Sequence, residues 1–290
     1  MQFRLRSWNC FGTGQSVIDA LAWRAPASER LLHNEVHKTC AAADVLCIQE
    51  VLSHHAETFF DRVGAFVSRH RDDNRPMLWP ASFRGSGLGI ASRAELLQPR
   101  IWPFRTQGVG WDRLARKGAL HAQLVLQGGL KIDVLSTHLQ AGDRQDAMSV
   151  RASQLRELQK LIQLLGSPER PFIVCGDFNI DGLLRARKTD EYQRLVKALD
   201  GFVDLGAASD LATFEPHPAT NTLAHAFEPF GRKRRLDYVF LRPARDEQLS
   251  LSPTTFERLF DQPLSSVASA ARAYASDHFG LCASFEYESR

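Results

Sequence analysis

Asn9, Glu50, His138, Asp177, Asn179, Asp237, Asp277 and His278 lie at or just beyond the ends of short apolar runs scattered along the chain. Singly, an acid after a strand is usually a cap or a solvated turn residue, and a lone histidine is usually structural. Recurrence changes that. If the strands lie side by side, their ends converge on one sheet edge and collect carboxylates, amides and imidazoles in one pocket. Such a mixture suits phosphoryl transfer, which needs a hard cation on carboxylate oxygen, a base for water and donors facing the phosphate.

Glu50 fits the cation, with Asn9 beside it, because Mg²⁺ prefers oxygen, keeps several waters and often takes only one or two protein carboxylates. Asp277 would support a second ion. His278 is the candidate base: histidine titrates near neutrality, and an acid on its other ring nitrogen, Asp237, would fix the tautomer and stabilise the charged form. Asp177 and Asn179 would orient water and hold a phosphate oxygen, provided the chain stays extended there so that alternate residues share a face.

The runs Val45-Leu46-Cys47-Ile48, Ile132-Asp133-Val134-Leu135 and Phe172-Ile173-Val174-Cys175 read as core strands. Further strands are expected at 88–92, 117–125, 236–241 and 279–287, and the N-terminal Met1 to Asn9 alternates like one. Val150, Leu155, Leu158, Leu161, Ile162 and Leu165 recur at helical spacing, and helices are expected at 29–42 and 189–199. The least regular stretches are 69–84, 107–116, 207–235 and 252–275; loops of that length are usually functional or mobile, and the first three are expected to edge a cleft. With no internal repeat or linker, and with the polar set spread from Asn9 to His278, residues 1–290 read as a single mixed α/β domain.

A hydrophobic share of 44%, charged residues at 24% and a net charge of +3 describe a globular chain able to bury a sizeable core. The charge suits a phosphate-bearing substrate but is low for a dedicated nucleic-acid binder. Cys10, Cys40, Cys47, Cys175 and Cys282 are odd in number, lack zinc-like spacing and read as reduced core thiols. No stretch approaches the roughly 20 apolar residues of a membrane span, so membrane contact would be peripheral. Without a signal-peptide pattern, a cytoplasmic location is expected, with a secreted mature form left open.

Trp8-Asn9, Ile48-Gln49-Glu50, Gly176-Asp177-Phe178-Asn179, Arg235-Leu236-Asp237-Tyr238 and Ser276-Asp277-His278 resemble, in order and approximate spacing, the motifs of the endonuclease/exonuclease/phosphatase superfamily. The resemblance implies a DNase-I-like four-layer sandwich, two mixed β-sheets flanked by helices, with the site at the top of the sheets. It implies metal binding by Glu50 with Asn9 beside the ion, His278 as base or charge stabiliser, and Asp177 and Asn179 on nucleophile and phosphate. Mg²⁺ is the expected ion, with Mn²⁺ or Co²⁺ as substitutes.

Fold alone does not name the substrate. Ser136-Thr137-His138-Leu139-Gln140-Ala141 with Asp143, then Val150-Arg151-x-x-Gln154-Leu155, is similar to a segment of neutral sphingomyelinases, as is Trp111-Asp112-x-Leu114-Ala115-x-Lys117-Gly118. In those enzymes a histidine matching His138 adds a donor to the phosphate. The expected activity is therefore hydrolysis of sphingomyelin, or a related phospholipid, to ceramide and phosphocholine. A DNA or RNA nuclease and a non-catalytic interaction module are the alternatives. Lys117 reads either as a phosphate contact or as a solvated strand-end lysine. The basic run Arg232-Lys233-Arg234-Arg235 reads as an exposed loop or as a contact for an anionic surface. Trp102, Phe104, Trp111 and the aromatics of 256–260 read as core or rim packing, or as a membrane contact. Gly85-Ser86-Gly87-Leu88-Gly89 lacks a phosphate-loop lysine and reads as a turn entering a strand.

Overall fold

Continuous apolar runs suit strands covered on both faces, and these runs pair in a computed structural model that describes residues 1–12, 27–70, 85–246, 249, 251–265 and 274–288. The chain order begins β1 (Gln2–Asn9), α1 (Ala27–Leu31), α2 (Asn34–Ala41), β2 (Val45–Gln49), α3 (His54–Phe60), β3 (Phe66–Arg69) and β4 (Gly89–Ser92). It continues with β5 (Glu95–Pro103), β6 (Gly118–Val125), β7 (Lys131–His138), α4 (Gln145–Leu165), β8 (Phe172–Asp177) and α5 (Asp190–Ala198). Then come β9 (Val203–Asp204), α6 (Thr222–Phe227), β10 (Asp237–Arg242), β11 (Ser252–Leu259) and β12 (Gly280–Glu286).

These strands form two six-stranded sheets, ordered β11-β12-β1-β2-β4-β3 and β5-β6-β7-β8-β10-β9. Both are mixed: β1 runs parallel to β2 and β7 parallel to β8, while the other pairs are antiparallel. Leu5, Val45, Cys47 and Ile90 from the first sheet meet Leu120, Val134, Ile173, Cys175 and Val239 from the second. Each such side chain contributes about 1.5–3 kcal/mol on leaving water. The outer face of the first sheet presents Trp8, Leu46 and Ile48 to Phe59 and Phe60 of α3. That of the second presents Leu135 and Val174 to Leu155, Leu158 and Ile162 of α4. The result is the four-layer DNase-I-like sandwich.

On α4 the buried stripe is Ala147, Arg151, Gln154, Leu155, Leu158, Leu161 and Ile162, so two polar side chains are turned inward with the leucines. The helix stops at Gly166, where a Cβ would lie 2.5 Å from the Arg242 guanidinium and 2.8 Å from the Ile162 carbonyl oxygen.

The helix expected at 29–42 is two helices, because His33 caps α2 by accepting from the Glu35 amide, breaking the run after α1. Part of the irregular stretch 252–275 is β11, and α6 lies within 207–235. Most of 69–84 and the part of 252–275 from 266 to 273 lie outside the described residues. All five cysteines are free and buried. Among the described residues no helix is long and apolar enough to cross a membrane.

Candidate active site

Register puts the polar strand ends together. In the second sheet His138 lies opposite Asp177, and Asp177 opposite Asp237, so β7, β8 and β10 deliver three functional side chains to one edge. Gly176 makes the close approach possible: its φ is +132°, and a Cβ there would sit 2.0 Å from the Thr137 carbonyl oxygen. The first sheet brings Asn9 opposite Gln49, with Glu50 the next residue, while Asp277 and His278 precede β12, the antiparallel neighbour of β1.

Asp177 Oδ2 is the meeting point. Asn9 Nδ2 donates to it at 3.0 Å, His138 Nε2 lies 3.6 Å away and His278 Nε2 3.9 Å away. The Asn9 amide nitrogen also donates to Glu50 Oε1 at 3.0 Å, and its oxygen accepts from the Phe11 amide at 3.1 Å. Those three bonds set the amide orientation: with its nitrogen toward the acids, Asn9 is the neighbour that orients Glu50 and Asp177. The expected dyad is present, His278 Nδ1 lying 2.8 Å from Asp237 Oδ2. An ionised carboxylate only accepts, which assigns the proton to Nδ1 and turns Nε2 toward Asp177.

Asp177 and Asn179 do not share a face of an extended chain. Asn179 is left-handed at φ +54°, its amide N–H donates to Asp177 Oδ1 at 2.9 Å, and its side-chain nitrogen donates to the Leu139 carbonyl at 3.1 Å. A tight Asx turn has replaced the alternation. Glu50 is also left-handed, at φ +62°. Such a conformation costs a non-glycine residue about 1–3 kcal/mol, and functional sites are where it concentrates.

Burial and then the neighbouring Asp277 push the Glu50 carboxyl up to about 7. Asp277 is itself raised, chiefly by burial. Burial would lower His278, but Asp237 and Asp177 outweigh it and hold the imidazole well above 6.5. His138 goes the other way, down to about 4, through burial and the positive charge of Lys117. The two histidines are thus electrostatically unlike: His278 favours imidazolium, His138 the neutral ring.

A divalent cation fits this donor set. Glu50 is a hard oxygen donor whose carboxyl is raised by burial and then by the neighbouring Asp277, and a cation there would relieve both. Among the described residues Asp237 Oδ1 is buried with no hydrogen-bond partner. Asp177, Asp237 and His278 also bring one ligand atom each within 4.8 Å of one another, although Asp237 already holds the Nδ1 face of His278.

Several residues hold this geometry without having stood out in the sequence. Thr213 Oγ1 accepts from the Leu236 and Asp237 amides at 2.9 and 3.1 Å, and its carbonyl accepts from the Phe279 amide at 2.7 Å, linking the starts of β10 and β12. Asn221 caps α6 and donates to the carbonyls of Ser276 and Asp277. Only a neighbouring proline-rich loop marks either one, and a lone Thr or Asn carries no periodic signal. The motif that reached Gln154 now has a mechanical reason. Arg151 donates to the Gln140 and Gly142 carbonyls at 2.7 and 2.9 Å, and Gln154 accepts from the Gln140 amide at 2.8 Å. Together they clamp the loop that follows His138.

Lys117 is no solvated lysine. It is 1% exposed, and its Nζ lies 3.1 Å from both Asp112 Oδ1 and the Leu139 carbonyl oxygen. The same Asp112 accepts from the Ala141 amide at 2.7 Å, so Lys117 braces the His138 loop from beneath. The basic run is divided. Arg235 is buried against Asp204 at 2.6 Å, and Arg234 stacks 4.9 Å over Phe214, whose ring lies 5.2 Å from that of His278. Arg232 and Lys233 alone stay exposed. Of the aromatics, Phe104 is buried, Phe260 packs on Trp8 at 4.5 Å and Trp102 is covered by Arg100 at 4.1 Å. Trp111 is 89% exposed, and so, fully, is Phe230.

A model of the Endonuclease/Exonuclease/phosphatase family matches residues 7–278. Sphingomyelinase C of Bacillus cereus is 27% identical over 210 residues, which cover 68% of this chain and 60% of that protein. Among solved structures, SmcL superposes with a TM-score of 0.76 at 19% identity, over 98% of this chain and 99% of that one. A beta toxin mutant from Staphylococcus aureus with bound magnesium ions gives 0.73 at 18%, with 98% and 99% covered. D. rerio TDP2 complexed with single strand DNA product gives 0.70 at 19%, again with 98% and 99% covered.

Proposed function

Because this chain belongs to the endonuclease/exonuclease/phosphatase family, we propose that it is a divalent-metal-dependent phosphodiesterase whose preferred substrate is sphingomyelin or a related phospholipid. The observation that carries the reading is the convergence of Asn9, His138 and His278 on Asp177 Oδ2. A cation at Glu50, Mg²⁺ by preference, would polarise a phosphoryl oxygen and neutralise developing charge. Asp177, oriented by Asn9 and Asn179, takes a proton from the attacking water. The imidazolium of His278, held by Asp237, donates from Nε2 to a phosphoryl oxygen as charge builds there. Of the two roles expected of His278, base or charge stabiliser, this reading takes the second. Neutral His138 supplies a second N–H donor. Water oxygen joins phosphorus, the bond from phosphorus to the ceramide oxygen breaks, and the leaving alkoxide takes a proton from solvent water while Asp177 returns its proton to solvent, giving ceramide and phosphocholine.

The lipid preference is supported by the Bacillus cereus relative's activity as its name states it, and by the rim. Exposed Trp111 is two residues from exposed Arg113, and exposed Phe230 is two and three residues from exposed Arg232 and Lys233. Aromatics at headgroup depth beside cations favour peripheral contact with a lipid surface. A nuclease is the second reading, favoured by the likeness to TDP2 with its DNA product and by the same two basic residues. Sphingomyelin/phosphatidylcholine vesicles and supercoiled DNA, incubated in parallel in Mg²⁺ or EDTA, separate them. Phosphocholine release in Mg²⁺ alone is the expected result. DNA cleavage without lipid hydrolysis would transfer the assignment to the nuclease, and inertness toward both would end the phosphodiesterase reading.

A further inference from the structure

We propose that Arg30 is a positioning residue for the chemistry, one buried guanidinium that sets the spacing between the Asn9–Glu50 side of the site and the Asp277–His278 side; the proposal rests on the phosphodiesterase reading above. Arg30 sits on α1, outside the catalytic cluster, and is fully buried at 0% exposure. Its guanidinium ties two loops together. One nitrogen donates to the Ala275 carbonyl at 2.6 Å and reaches the Cys10 carbonyl at 3.5 Å. The other donates to the Phe11 carbonyl at 2.9 Å, and the guanidinium lies 5.5 Å from the centre of the Phe11 ring.

Both loops are catalytic supports. Cys10 and Phe11 leave β1 directly after Asn9. Phe11 is left-handed at φ +47°, and its amide holds the Asn9 side-chain oxygen, so a change at the Phe11 carbonyl is felt at Asn9. Ala275 precedes Ser276, whose hydroxyl donates to the Asn9 carbonyl at 2.7 Å, lies 3.1 Å from Asp277 Oδ1 and accepts from the His278 amide at 3.2 Å. Arg30 and Ser276 therefore make two successive ties between the same loops.

Chemistry argues that the role is positional. A buried cation is costly to desolvate, and an apolar side chain would fill the space at less expense. What an apolar residue lacks is a rigid fork of donors able to hold diverging carbonyls at once, and lysine's single ammonium reproduces that poorly. A misplacement of about 1 Å at a reacting centre can cost about a hundredfold in rate.

The test compares full-length wild type, Arg30→Met and Arg30→Lys in Mg²⁺. The readouts are kcat and KM on bis(p-nitrophenyl) phosphate, thermal melting, and the downfield proton resonance of His278 Nδ1–H against Asp237, which needs no turnover. Arg30→Met is expected to melt cooperatively, lose about a hundredfold in kcat with KM within threefold, and shift or broaden the His278 signal. Arg30→Lys should recover about tenfold of that loss. A folded Arg30→Met with wild-type kcat and an unmoved signal would overturn the proposal. So would Arg30→Lys indistinguishable from wild type in both, which decides the matter should the methionine variant not fold. If wild type cleaves no diester, the phosphodiesterase reading fails, and the His278 signal still decides the role of Arg30.

Discussion

Asp237→Asn isolates one charge with almost no change of shape. Asp237 is 1% exposed, bonded to His278 Nδ1 at 2.8 Å, and its backbone is held by Thr213, so the isostere should stay in place. At about 4 Å between charge centres and an effective dielectric near 20, the pair is worth about 4 kcal/mol to the imidazolium, roughly three powers of ten in its protonation equilibrium. Asp177 remains to offset part of the loss. The sign follows: burial lowers His278 while Asp237 and Asp177 raise it, so deleting Asp237 lowers its pKa and moves the alkaline limb of the kcat profile to lower pH. The amide also offers an N–H to Nδ1 and favours the wrong tautomer; the same change in a buried Asp–His pair of a hydrolase costs about 10⁴. With Glu50 and Asp177 intact, a loss of about 10²–10³ in kcat at pH 7 is expected, or about 3–4 kcal/mol. The assay is kcat against pH with bis(p-nitrophenyl) phosphate, alongside NMR titration of His278. A variant within threefold of wild type, with an unmoved alkaline limb, would refute the electrostatic role given to the dyad.

Lys117→Met strands Asp112 and should lower stability by about 3–5 kcal/mol; with the Lys117 charge gone, His138 should titrate above about 4, as melting curves and NMR titration would reveal. Asp133, fully buried, is bonded to His121 and Arg170 at 2.9 Å each, and although burial pushes its carboxyl up, those partners hold it below 3.8. Its contribution is therefore present above the unfolded value of about 3.9 and lost as pH falls through the folded one. Urea unfolding of wild type and Asp133→Asn should differ by about 1–3 kcal/mol at pH 7, a difference that shrinks as pH falls through the lowered folded value; a difference unchanged by acid would contradict the assignment.

What the sequence made legible, and what it hid, follows burial. Core strands such as β2, β7, β8 and β10 stand out because both faces are covered, and their ends supplied Glu50, His138, Asp177 and Asp237, while β1 and β12 added Asn9, Asp277 and His278. The strands that escaped notice, β3, β5, β9 and β11, are the four sheet edges. β5 carries Pro99 inside a register shift between Leu97 and Arg100, and β11 is mostly exposed, so neither has the alternation that marks a half-buried strand. Within the site, residue types were readable but orientation was not. Nothing in Gly176-Asp177-Phe178-Asn179 announces that Asn179 turns left-handed, and which atom of Asn9 faces Glu50 depends on Phe11. Lys117 looked like any strand-end lysine because its partners, Asp112 and Leu139, meet it only after the second sheet has formed.

The split of the first sheet has a consequence for assembly. Its strands come from residues 2–92 and 252–286, with the whole second sheet made in between, and the Met1 amino group bonds the Tyr287 carbonyl across 286 positions. A partly folded chain can complete the second sheet early, but β1 keeps an unpaired edge until β12 returns, and long-range closures of this kind are slow. Asp277 and His278 arrive with that same closing strand. Until closure the molecule is at its stickiest and its site is incomplete, so the proposed activity in a refolding mixture would count only molecules in which β1 and β12 have paired.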